Sequence, residues 1–236
     1  MSHGESSSEA TFKGHARLWQ QSNSVQAPVI VLDRKRQTLV AHSTDLAEPV
    51  KVVLLSSGGL DHGLASRPAG SKQGPNAPAG ADAKSADHAS SVMRARGGDL
   101  KYSDAEHRAI LRGGELGPAV AETPTATSTS SEIELLLLPA GNHAGKDGGQ
   151  AQVDRMIARG HVLVTSDGRR GTGEQLLYTG ETGEYVLTGT TAAPPIMTDP
   201  VRGNVTGAAL IFNSRDDRVT IDGGGGKTST STTAPK

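Results

Sequence analysis

Apolar and polar residues alternate with a period of two along much of this chain, and one position organises the alternation. The pairs Ile30 and Leu32, Leu100 and Tyr102, Leu176 and Tyr178, and Leu210 and Phe212 align on their second member. Seven residues after that anchor come Leu39, Ala109, Tyr185 and Val219, and nine after it Ala41, Leu111, Leu187 and Ile221. Eleven after it stand Ser43, Gly113, Gly189 and Gly223. The stretches between, 33–38, 103–108, 179–184 and 213–218, are polar and rich in turn formers. Residues two apart share one face of a strand, so each copy predicts a hairpin with a single apolar face. The closing glycine lets the chain bend as it leaves the sheet. The first copy has neither an aromatic anchor nor that glycine.

The last two anchors lie 34 residues apart, and the earlier gaps of 70 and 76 read as about twice that plus inserted sequence. A second echo pairs 12–18 with 158–164, each carrying Gly-His (Gly14-His15 and Gly160-His161), where a strand is expected to open toward the next hairpin. The first echo stands almost at the start of the chain, so the chain reads as beginning in mid-repeat, with truncation the simplest account. The expected fold class is all-β, an antiparallel architecture of repeated strand-turn-strand units.

Composition divides the chain. Hydrophobic residues are only 34%, with 30 glycines and 12 prolines, so ordered structure is expected to be concentrated in segments. Residues 1–10 read as a disordered N-terminus and 11–55 as an incomplete β unit. The Gly/Ala/Ser/Pro-rich 56–94 reads as a disordered insert, 95–224 as β repeats and 225–236 as a Thr/Ser tail. The Thr-rich 122–131 and the stretch 140–149 read as loops. A net charge of −1 and six aromatic residues argue against a nucleic-acid surface. The absence of cysteine excludes disulfides and thiolate chemistry. No apolar run approaches the ~20 residues of a membrane-spanning helix. Residues 1–10 lack the plan of a signal peptide, so any export signal is expected outside this sequence.

The run 153–162, then 173–178, Tyr185 to Gly189, 207–212 and 219–223, resembles the OstA-like family, to which the LptA proteins of lipopolysaccharide transport belong. The shared signature is A-x-G-x-V, then an apolar-x-aromatic strand, then apolar-x-Gly after the turn. It covers 132–224 well, 98–114 clearly and 11–55 more loosely. The resemblance implies a twisted β-jellyroll of two antiparallel sheets, open as a V, whose interior shields lipopolysaccharide acyl chains. It implies a periplasmic, non-enzymatic protein of outer-membrane biogenesis without a cofactor. Its partners would be lipid A acyl chains and other OstA-like proteins, joined end to end through sheet edges. A divergent member, or a fragment of a longer chain, is the form expected.

The candidate groove lining is Leu32, Leu39, Leu100, Tyr102, Leu111, Leu176, Tyr178, Tyr185, Leu187, Leu210, Phe212, Val219 and Ile221, with the small Ala41 and Ala109 among them. The same residue types would equally build an ordinary closed core, and the sequence does not separate the two. A β-repeat scaffold that assembles through its edges is the alternative function. Other candidates carry less. The Gly-Lys-Thr at 226–228 lacks the P-loop glycine, since Ile221 stands in its place. His15 and His161 share a repeat position and read as surface strand residues rather than metal ligands. Asp216-Asp217 and Arg34-Lys35-Arg36 sit in turns, although the cationic trio also suits lipid phosphates. No paired carboxylates or Ser/His/Asp arrangement has a positional logic, so no catalytic residue is assigned.

Overall fold

The computed structural model describes residues 8–20, 22–56, 91–138, 152–166, 168–201, 203–213, 216–223 and 229–231. Nearly all of them lie in strands: β1 (Glu9–Gln20), β2 (Asn23–Asp33), β3 (Thr38–His42), β4 (Val50–Ser56), β5 (Ser91–Gly97) and β6 (Asp99–Ser103). Then follow β7 (Arg108–Arg112), β8 (Ala119–Glu122), β9 (Ala126–Ser130), β10 (Glu132–Leu138), β11 (Gln152–Ser166) and β12 (Arg169–Thr179). The last six are β13 (Glu184–Thr188), β14 (Ile196–Asp199), β15 (Gly203–Thr206), β16 (Ala209–Asn213), β17 (Asp216–Asp222) and β18 (Ser229–Ser231). Among the described residues the only helix is a 3-10 turn at Gly114–Leu116.

The predicted pairings appear in register. Leu32 faces Leu39, Tyr102 faces Ala109, Tyr178 faces Tyr185, and Phe212 faces Val219 across their hairpins. In the first three copies the pairing reaches one residue further than expected, as with Asp33 opposite Thr38, so those turn tips are four residues long. In the fourth the register shifts after Phe212 and Asn213 faces Asp216, so Asp216 to Arg218 of the expected turn belong to β17. These hairpins belong to one leaf, leaf I, ordered β1-β2-β3-β6-β7-β10-β11-β12-β13-β16-β17. A second leaf, leaf II, runs β1-β2-β4-β5-β8-β9-β11-β12-β14-β15-β18. The pairings within both are antiparallel, and together the leaves form the expected β-jellyroll.

The long strands β1, β2, β11 and β12 run through both leaves, and the other strands stop at the fold line between them. The Gly-His echo marks the crossing. In β1, Gly14 and His15 together oppose Pro28, and in β11, Gly160 and His161 together oppose Glu174. Each is a bulge within a strand, not the strand opening expected from the sequence. Gly14 and Gly160 have φ of 84° and 79°, the left-handed conformation such a bulge uses. The missing N–H of Pro28 falls where the ladder is already interrupted.

At the other corners the chain steps directly from leaf to leaf. A Cβ on Gly113 would lie 1.7 Å from the Gly117 carbonyl oxygen, and on Gly189 2.2 Å from that of Ala193, so both positions admit only glycine. In the first copy Ser43 takes the place, its hydroxyl donating to the Glu48 carbonyl at 2.7 Å.

Four segments expected to lack strands contain them, beginning with the N-terminus, where Glu9 and Ala10 open β1 opposite Asp33 and Leu32. Ser91 to Arg94 open β5, where Met93 is 1% exposed, and the Thr-rich stretch supplies β9 with Ser128 and Ser130 buried. β18 lies in the expected tail. The bulk of the insert, the expected loop 140–149 and residues 1–7 lie outside the described residues.

Candidate apolar groove between the leaves

Two rows of inward side chains cross leaf I. The anchor row runs Leu32, Leu39, Tyr102, Ala109, Leu135, Met156, Tyr178, Tyr185, Phe212 and Val219. The second runs Ile30, Ala41, Leu100, Leu111, Ile133, Ala158, Leu176, Leu187, Leu210 and Ile221. Leaf II answers with smaller groups, Val52, Ala95, Ala121, Ser128, Val164 and Gly171 in successive strands. Large side chains on one leaf thus meet small ones on the other. Around Leu187 the fit is tight, since a Cβ on Gly171 or Gly173 would come within 2.9 Å of its methyl groups.

The two ends of the anchor row differ. Toward the C-terminus three aromatics fill the space: Tyr178 and Tyr185 have ring centroids 4.7 Å apart, and Tyr185 and Phe212 stack at 5.1 Å. Toward the N-terminus the row holds Leu32, Leu39 and Ala109, and there the leaves enclose an apolar cavity of about 430 Å3. This is a volume typical of a small-ligand site. Leu18, Val52, Leu54 and Leu137 complete its walls. Its mouth lies between the β1–β2 hairpin tip, with Trp19 and Asn23, and the leaf I turns that carry Arg34 and Asp104.

Of the thirteen candidate lining residues, Leu32, Leu39, Leu100 and Tyr102 border this cavity. Leu111, Leu176, Tyr178, Tyr185, Leu187, Leu210 and Phe212 are buried in the packed interior, and Val219 and Ile221 pack half-buried against it. The Tyr102 hydroxyl donates to Asp104, two residues on in the same hairpin, at 2.7 Å beside the mouth. Burial, and then the bond to the Asp104 carboxylate and its charge, push the Tyr102 phenol well above its usual range, so it stays a donor at physiological pH. Asp33 is the frame of the cationic turn: its carboxylate accepts from the backbone N–H of Lys35 and Arg36 at 2.9 and 3.1 Å. Those bonds, that of Arg36 foremost, hold it below the ordinary carboxylate range despite some desolvation.

Sequence reasoning did not find Trp19, Leu54 or Leu137 as part of the site. Trp19 is 72% exposed at a hairpin tip, and its outward position gave no periodic signal. His15 is exposed and lies 3.0 Å from the Glu48 carboxylate, and His161 is exposed at its bulge. Among the described residues no group of His, Asp and Glu converges as a metal site would require.

No family model matches the chain. No curated protein matches it either. Among solved structures it is similar to the crystal structure of LptH, the LptA-homologous periplasmic component of the lipopolysaccharide transport device of Pseudomonas aeruginosa. The similarity is at 14% identity and a TM-score of 0.42, over 61% of this chain and 89% of that one.

Proposed function

We propose that this protein is a non-enzymatic lipid-binding protein that takes an acyl chain between its two leaves, in the service of lipopolysaccharide transport through the periplasm. The observation that supports this reading is the apolar cavity at the N-terminal end, open to solvent and rimmed by polar side chains that include Arg34, Asp33 and Asp104. Apolar walls favour an alkyl chain through the area they remove from water, without any cofactor. Arg34 at the mouth suits an anionic headgroup, with the Asp33 carboxylate engaged by the backbone N–H groups of Lys35 and Arg36 and that of Asp104 by the Tyr102 hydroxyl. The edge of β1, which among the described residues pairs with β2 alone, suits end-to-end joining to another OstA-like protein.

A second reading, a closed scaffold that assembles through its edges, draws support from the nine candidate lining residues packed away from the cavity. Photo-crosslinking separates the two. Benzoylphenylalanine at positions 39 and 102 is expected to label lipopolysaccharide, and Trp19, the only tryptophan, to shift its emission to the blue as lipid is added. No label at either position, with no uptake of an apolar dye, would leave the scaffold reading.

A further inference from the structure

Among the described residues one strand pairing joins the leaves away from the fold line. At the rim of the V, Leu55 and Ser56 of β4 in leaf II pair with Gln152 and Val153 of β11 in leaf I. It is the only parallel pairing among the described strands, and it is two residue pairs long. Every other strand pairing lies within a leaf or along the strands that cross from one to the other. The cavity ends at this contact: Leu54, beside it on β4, and Leu137, opposite Val153, are its last walls.

Beyond it the anchor row continues without a break through Met156, Tyr178, Tyr185 and Phe212. The Thr125 and Ser128 hydroxyls of the β8–β9 hairpin are buried there with no hydrogen-bond partner among the described residues. The same hairpin's Thr123 lies against the Tyr185 hydroxyl on the facing leaf.

We propose that the β4–β11 contact is a latch across the rim of the V. Its release joins the N-terminal cavity to the aromatic stretch and turns a short pocket into one continuous apolar groove. The latch rests on the lipid-binding reading above and adds its regulation: a short amphiphile occupies the cavity with the latch closed, and a longer chain advances only when it opens. Leu54 and Val153 are buried on the interior side of the contact, whereas Leu55 and Gln152 are half-buried, so a crosslink between the latter pair leaves the interior packing untouched.

The chain contains no cysteine, so the full-length double variant Leu55→Cys/Gln152→Cys carries a single possible disulfide. The probe is a diazirine-bearing C16 fatty acid, with labelled peptides read by mass spectrometry in the oxidised and reduced forms. Matching circular dichroism of the two forms establishes that both are folded. The expected result is equal labelling near residues 39 and 102 in both forms, with labelling near 185 and 212 at least tenfold lower when oxidised. Labelling near 185 and 212 that ignores the disulfide, or is absent in both forms while the cavity is labelled, would overturn the latch and leave the lipid-binding reading standing. No labelling anywhere in either form would overturn that reading and the latch with it.

Discussion

Glu134 is the acid most committed to structure. It stands on the outer face of leaf I between Ile110 and Ile157, is 6% exposed, and meets Arg108 Nε and Arg159 Nη1 at 2.6 Å each. Burial works against its ionisation, but the Arg159 hydrogen bond and the charges of Arg108 and Arg159 outweigh it and hold the carboxyl below its ordinary 4.5. A carboxylate with a depressed pKa stabilises the fold above the unfolded-state value, and that contribution is lost as pH falls through the folded-state value. Glu134→Gln should therefore cost about 1–3 kcal/mol at pH 7, since the two arginines lose a charged acceptor but remain near water. In urea titrations the gap between variant and wild type should be constant above roughly pH 5 and close as the pH drops below about 4.

At the scale of the element, the hairpin tips share a requirement that the sequence alone hid. Five residues after the anchor the backbone turns left-handed, with φ of 53° at Gln37, 46° at His107 and 68° at Gly183. Only the third copy uses the residue suited to that conformation, and a side chain there costs roughly 1–2 kcal/mol, partly recovered as lower unfolded-chain entropy. His107→Gly is expected to raise stability by about 0.5–1 kcal/mol, read as a higher urea midpoint with an unchanged slope. What the sequence disclosed follows from side-chain size. The hairpins of leaf I stand out because their inward positions are Leu, Tyr, Phe and Ile. Those of leaf II use Ala95, Ala121, Ser128 and Gly171 inward, which leaves no contrast with the polar outer face. A fifth leaf I hairpin, with Leu135 opposite Met156, went unseen because 139–151 separates its strands. It accounts for the 76-residue gap, whereas the 70-residue gap holds a single unit enlarged between β4 and β5. The cavity was half legible: the missing aromatic of the first copy marks the end where the anchor row leaves space.

For the molecule as a whole, β2, β11 and β12 hold a neighbour on each side and cross the fold line, and of these β11 and β12, in the middle of both leaves, should open last. β1 at one end and β18 at the other should open first. Hydrogen exchange should follow that order, slowest in 155–159 and 175–179 and fastest in 9–13 and 229–231, because local opening is cheapest where one ladder and few buried side chains resist it. A uniform exchange profile would contradict it. The two Gly-His bulges bear on how such a chain reaches this arrangement at all. Hairpins this alike, with the same apolar spacing, can pair with the wrong neighbour or slide by two residues and still bury their leucines. A strand carrying a two-against-one step cannot slide without setting that step against a regular ladder. During folding, β1–β2 and β11–β12 would then act as fixed reference marks from which the interchangeable hairpins between them take their order.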